Sequence, residues 1–175
     1  MNTKQVNTAL LVVDVQQGLF QKSTPIYEAE RLLDNITALI ARAQRVGAPV
    51  IYIQHSSDKF LIKGSDEWQL HPRLQPENRD YRVHKLEGNA FEGTNLGEVL
   101  QSSNITHLVI TGLVTHGCVK STCIGALELG YKVTLVKDAH SSYSAQAAEL
   151  IEKWNTQLAA KGALLKAAAE VDFTE

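Results

Sequence analysis

Two cysteines in 175 residues are too few for a disulfide framework. Cys118 and Cys123 also sit in one apparent helix, where their spacing turns the side chains to different sides and disfavours a bridge between them. Free thiols fit a reducing compartment. Charge of one sign is equally scarce: 17 Lys and Arg stand against 19 Asp and Glu, scattered without a run, for a net charge of -2. A nucleic-acid or anionic-membrane partner calls for a basic stripe, so neither is expected. No apolar run reaches the length of a membrane span. The start Met1–Thr8 is polar and lacks the apolar core of a signal peptide. The expectation is a cytoplasmic protein. There is no internal repeat, low-complexity linker or domain boundary, so residues 1–175 read as one domain. With 44% hydrophobic residues, a chain of this length can bury a core without a structural metal.

What is present is an alternation of strands and helices. Thr8–Val15, TALLVVDV, is a nearly continuous apolar run, as in a strand buried on both faces of a parallel sheet. Ala29–Val46 repeats Leu32, Leu33, Ile36, Leu39, Ile40 and Ala43 at helical spacing, with Gly47 as the stop. Val50–Gln54 is the next strand. The stretch His55–Asp80 shows no period and reads as a long functional loop. Tyr81–His84 and His107–Leu113 read as strands and Asn95–Ser103 as a short helix. Cys118–Leu129 and Ala145–Ala160 read as helices, with Lys132–Lys137 and Ala163–Leu165 as the closing strands. This order predicts a three-layer α/β/α sandwich over a mostly parallel sheet. Ligands of such sheets bind beyond the carboxyl ends of the strands.

Three polar residues stand at those ends. Asp14 ends the first strand, Lys85 follows Tyr81–His84, and Cys118 follows HLVITGL at a helix start. A thiol there feels the positive end of the helix dipole, which favours thiolate. The free amides of the same turn can hold an oxyanion. A nearby carboxylate can take the thiol proton, and a lysine can keep that carboxylate ionised. Taken singly, each residue also has an ordinary reading: a turn aspartate, a small buried hydrophobe and a solvated lysine.

The segments ALLVVDVQQGLF, WQLHPRLQPENRDYRVHK, AFEGTNL and LVITGLVTHGCVKSTCIGALELGYKVTLVKDAHSS resemble the isochorismatase-like hydrolases in order and spacing, from Thr8 to near the C-terminus. The resemblance implies a Rossmann-like six-stranded parallel sheet, dimers or tetramers, and Asp14, Lys85 and Cys118 as a catalytic triad. It also implies a cis peptide before the threonine of GxxT, here Val114–Thr115. Hydrolysis of a C–N bond in a small amide, ureido or carbamoyl compound through a thioester follows as the expected activity, without a cofactor. The alternatives are a vinyl ether hydrolase, which needs no thiol, and a non-catalytic scaffold. Where the family often has Ser-Ala-Phe this chain has Asn89-Ala90-Phe91, so a relative's substrate does not transfer directly.

Nicotinamidase-like relatives hold a metal through Asp-x-His in the second loop. Here Asp58 is followed by Lys59 and Phe60, so no metal is expected, although His55 and His71 lie in that stretch. Phe20, Trp68, Phe91 and Tyr143 follow strands and could wall a pocket or pin the loops. Gln16 is placed to orient the site or to cap the backbone, and Val114, Thr115 and His116 lead into the nucleophile turn. These eight are the expected substrate contacts. His84 should face away from Lys85, His140 should make a structural hydrogen bond, and Cys123 should be buried and inert.

Overall fold

The computed structural model describes residues 5–175; the first half of the polar start Met1–Thr8, residues 1–4, lies outside them. Six strands form one all-parallel sheet: β1 (Thr8–Val13), β2 (Val50–His55), β3 (Tyr81–Lys85), β4 (His107–Leu113), β5 (Lys132–Ser141) and β6 (Leu164–Lys166), in the order β3-β2-β1-β4-β5-β6. Four helices flank it: α1 (Ala29–Arg45), α2 (Leu96–Ser102), α3 (Lys120–Glu128) and α4 (Ala147–Ala160). No helix among the described residues is long and apolar enough to cross a membrane.

The run TALLVV is buried at every position because both faces of β1 are covered. Leu10 and Val12 join one apolar layer with the inward residues of α1, and Ala9, Leu11 and Val13 join the other with Val119, Cys123 and Leu158. All six periodic residues of α1 are buried, and the helix ends where Gly47 takes a left-handed φ of 75°. Cys123 is fully buried.

The sheet order reverses beside β1: β2 and β3 extend to one side, and β4 returns to the other. The carboxyl ends of β1 and β4 therefore flank the point where ligands of such sheets bind. The long second loop folds back onto this edge. Its residues pair with the segment after β1 through Gln17 N to Gln69 O, Gly18 N to Glu67 O and His71 N to Val15 O, each at 2.9 Å.

Several boundaries differ from the sequence reading: β1 stops at Val13 instead of Val15, and α4 begins at Ala147 instead of Ala145. His55 and Lys85 are the last residues of β2 and β3, paired in register, instead of loop residues. Residues Thr115–Val119 form a separate wide turn, kinked at Gly117, and α3 begins only at Lys120. β5 runs on to Ser141 because it bulges: Ile110 pairs with Leu135, but Gly112 pairs with His140. The cis peptide is Leu113–Val114, one bond before the position the resemblance implied.

Gly112 has the closest backbone approach of the glycines among the described residues. Its φ is 120°, and a Cβ there would lie 2.0 Å from the Val13 carbonyl oxygen and 2.7 Å from the Val13 nitrogen, both backbone atoms that cannot step aside. Gly112→Ala is therefore expected to cost at least about 3 kcal/mol, through backbone strain and a clash at the strand that delivers Asp14. Equilibrium urea unfolding measures it, and a midpoint equal to that of the unmodified protein refutes it.

His107 ties three strands: its ring contacts Thr8 Oγ1 at 3.4 Å and Thr134 Oγ1 at 2.7 Å. Burial holds its pKa down to about 4, with Lys132 and Lys166 adding to the effect. The folded state therefore favours the neutral ring. That contribution is complete above the unfolded value of about 6.5 and is lost as pH falls toward about 4. The urea midpoint should drop between pH 7 and pH 5, and less so in His107→Gln. An identical drop in both proteins would remove His107 as the cause.

Candidate active site

Four side chains converge at the carboxyl ends of β1, β2, β3 and the turn after β4. β1 stops at Val13 because Asp14 takes a left-handed conformation, φ 53°, which aspartate tolerates better than most residues. Its amide still bonds Ile53 O at 2.9 Å, so the position of Asp14 is set by β2. Lys85 comes from the edge strand β3, and its side chain reaches inward past β2.

The Lys85 ammonium is entirely buried. Its Nζ lies 3.2 Å from Asp14 Oδ2, 3.0 Å from His55 Nδ1, 3.0 Å from the Glu87 carbonyl oxygen and 3.1 Å from Cys118 Sγ. Four acceptors thus compete for three N–H donors. A lysine only donates, so His55 accepts through Nδ1 and carries its proton on Nε2. Burial, and then the Lys85 charge, push the His55 pKa down, which keeps the ring neutral.

Burial also raises the pKa of Asp14, while the charge of Lys85 works against that rise. Burial pushes the Cys118 thiol up to about 12, and the adjacent Asp14 charge pushes the same way; Lys85 opposes both. This corrects the expectation of a stabilised thiolate. Cys118 sits in the kinked turn ahead of α3, and desolvation beside a carboxylate outweighs any help from the helix. Burial beside Asp14 therefore favours a thiol over a thiolate at Cys118, with Lys85 opposing the rise. Asp14 Oδ1, buried and without a formed hydrogen bond among the described residues, is available to receive a proton.

Oxygen, nitrogen and sulfur atoms of Asp14, His55 and Cys118 lie within 4.8 Å of one another, a donor set that could suit a metal ion. The Lys85 ammonium is already bonded to all three. A second cation would face that fixed charge directly, so the cluster fits Lys85 better than a metal.

The remaining expected contacts separate. Thr115 is buried and bonds His140 Nδ1 at 2.8 Å, and Val114 packs on the apolar layer containing Val12. His116 Nδ1 and Trp68 Nε1 are buried without a hydrogen bond among the described residues. Phe20 lies against His71, ring centroids 4.6 Å apart. Tyr143 and Phe60 both lie under the Lys22 ammonium, at 4.8 and 4.0 Å from the ring centroids.

Two expectations are corrected. Gln16 gives both its amide hydrogens to the carbonyls of His55 and Trp68, at 2.9 and 2.8 Å, and its oxygen accepts from His55 N at 2.9 Å. It clamps the end of β2 to the loop and has no donor left for a ligand. Phe91 stacks on Tyr131, centroids 5.7 Å apart, next to the amino end of β5. That is the opposite edge of the sheet from the triad.

The sequence reading missed His55 as a partner of Lys85, and missed Lys22 and Phe60. Parallel pairing of His55 with Lys85 was the available signal for the first, because two strands ending in register present their last side chains together. Nothing in the sequence marks the other two.

Comparison with known proteins agrees with this geometry. The model of the Isochorismatase domain matches residues 8–160. A streptothricin hydrolase of Streptomyces noursei is 37% identical over 142 residues, which are 80% of this chain and 51% of that protein; the chain thus spans about half the length of this relative. A solved isochorismatase family protein superposes with a TM-score of 0.88 at 30% identity, covering 93% of this chain and 99% of the other. N-carbamoylsarcosine amidase from Thermoplasma acidophilum gives 0.82 at 26% identity, over 94% and 98%. A buried Asp-Lys-Cys cluster at the switch point of a β3-β2-β1-β4-β5-β6 sheet, together with a family match over most of the chain, places this protein in the isochorismatase family of hydrolases.

Proposed function

We propose that the chain hydrolyses a C–N bond of a small amide, ureido or carbamoyl compound, with Cys118 as nucleophile, Asp14 as proton carrier and Lys85 as their fixed counter-charge. The observation that carries the reading is the single ammonium in contact with both Asp14 Oδ2, at 3.2 Å, and Cys118 Sγ, at 3.1 Å. The names of the streptothricin hydrolase and the carbamoylsarcosine amidase support the substrate class.

The steps follow from keeping one anion beside Lys85. Sγ attacks the carbonyl carbon while its proton passes to Asp14, so the negative charge moves from carboxylate to the new oxyanion. In the turn after β4, the Val114 carbonyl takes the amides of Gly117 and Val119, at 3.0 and 3.3 Å. We assign the backbone amide of Cys118, between them in the same turn, to the developing oxyanion. The oxyanion collapses, the C–N bond breaks, and Asp14 returns its proton to the leaving nitrogen. Water then attacks the thioester as Asp14 takes a proton from it. The C–S bond breaks, and the thiolate recovers that proton. At each stage the reacting groups carry one negative charge, so the ammonium does not have to move.

A panel of small amides and ureas with ammonia detection should reveal turnover. Cys118→Ala should abolish it with the fold intact, while Cys123→Ala retains it. Turnover that survives in Cys118→Ala ends the thioester reading.

The charge balance makes the other two variants unequal. Lys85→Met removes the one nearby charge that lowers the thiol pKa, so alkylation of Cys118 by iodoacetamide should slow and turnover fall by roughly 10²–10⁴-fold. Asp14→Asn removes a charge that raises the thiol pKa, so alkylation should quicken while turnover falls over the same range. Alkylation rates measured against pH in the three proteins decide the matter: an equal profile in all of them means that Lys85 and Asp14 do not control the thiol.

A further inference from the structure

Thr115, the first residue of the turn that carries Cys118, is held from the far side by a chain of hydrogen bonds. Its Oγ1 lies 2.8 Å from His140 Nδ1, and His140 Nε2 lies 2.8 Å from Asn155 Oδ1 on α4. The Asn155 amide nitrogen points to the Lys137 carbonyl at 3.5 Å. His140 reaches this position because β5 bulges between Leu135 and His140. Thr115 is fully buried and His140 nearly so, whereas Asn155 is partly exposed.

The direction of every hydrogen in this chain follows from its outer end. The Lys137 carbonyl only accepts, so Asn155 turns its nitrogen to it and its oxygen to the histidine. Burial holds the His140 pKa down to about 4, so the ring is neutral and carries one proton. That proton sits on Nε2, where Asn155 Oδ1 accepts it. Nδ1 is then an acceptor, and the Thr115 hydroxyl must donate to it. The Thr115 rotamer is fixed, and with it the start of the kinked turn that sets Sγ against Lys85.

We propose that His140 and Asn155 are positioning residues: their fixed Nε2–H tautomer locks Thr115 and so holds the Cys118 turn in its reactive place. This rests on Cys118 being the nucleophile, as proposed above. Nothing in the relay touches the reacting atoms. It acts from the back of the turn, from an open cleft of about 390 Å³ lined by His140, Asn155, Lys137 and Asp138. A designer of variants can thus reach the nucleophile from a partly exposed residue outside the triad.

The test uses the full chain with Asn155→Leu, Asn155→Ala and Asn155→Asp. The first two remove the acceptor; the third keeps it. Nitrogen-15 NMR of the labelled imidazoles should show His140 protonated on Nε2 in the unmodified protein and in Asn155→Asp, and shifted toward Nδ1 in Asn155→Leu and Asn155→Ala. In those two, the pH profile of Cys118 alkylation should move, and turnover should fall roughly 10-fold with KM within about 2-fold, as expected for a displaced nucleophile. Asn155→Asp should restore the profile, which a loss of general stability would not explain. Alkylation requires no substrate. A moved profile in a protein that turns over no amide overturns the proposed reaction and leaves the relay standing. A profile for Asn155→Leu that superimposes on that of the unmodified protein, or a proton on Nδ1 in the unmodified protein, overturns the relay.

Discussion

A buried ammonium with a single full anion beside it is the constraint on which the site depends. Removing a lysine from water costs several kcal/mol, which is repaid only when its donors are met and a counter-charge is close. Lys85 meets both conditions through Asp14, His55, the Glu87 carbonyl and Cys118. The same arithmetic limits its neighbours. A second anion would be desolvated with only a shared cation to offset it, so Asp14 and Cys118 cannot both be charged at rest. Burial raises both groups, and the Asp14 charge adds to the rise at Cys118, where this limit is felt. In the proposed reaction, proton transfer between them conserves the net charge, so the buried site needs no solvent to compensate.

The fold supplies this arrangement by adjacency of strand ends. β1 is central, so Asp14 is anchored between β2 and β4 and has little freedom. Gly112 allows β4 to approach Val13 closely enough to bring the turn after β4 beside it. β3 lies two places away, roughly 10 Å at about 4.8 Å per strand, so a long side chain is needed for Lys85 to meet the Asp14 and Cys118 side chains partway across β2. A shorter cationic residue at position 85 would not arrive. Gln16 then fixes the His55 backbone to the loop, which holds the fourth ligand of the ammonium.

The parts legible in the sequence are those governed by local pattern. The buried strands, α1 and the strand-end positions of Asp14 and Cys118 follow from apolar runs and their stops, and the resemblance supplied Lys85 with its role. What escaped depends on distant partners. Gln16 reads as a pocket residue until the backbone groups of His55 and Trp68 are seen to consume its amide. Phe91 follows a strand in sequence, yet the path around α3 carries it to the opposite edge, onto Tyr131. Cys118 reads as the start of the helix that in fact begins at Lys120, because the turn before it kinks at one residue, Gly117, whose torsions no periodicity reports. β5 reads as ending at Lys137 because the bulge exposes Lys137 and breaks the alternation before Ala139 and His140 return to the core.

For Cys118 as the proposed nucleophile, an ammonium beside the sulfur acts differently from a metal ion. A divalent cation bound to the thiol would deprotonate it outright and hold it as a ligand. A single positive charge does less: it offsets one anion, and here that anion at rest is Asp14. In the proposed reaction the thiol keeps its proton until a carbonyl carbon accepts the sulfur's electrons, and the charge then moves on to oxygen without accumulating. Thiolate is also the form that oxidants and alkylating agents attack, so a resting thiol in a half-buried turn is shielded by the same charge balance that activates it. On the proposed reading, reactivity is conditional on the substrate, and the condition is imposed by the number of charges that one buried lysine can balance.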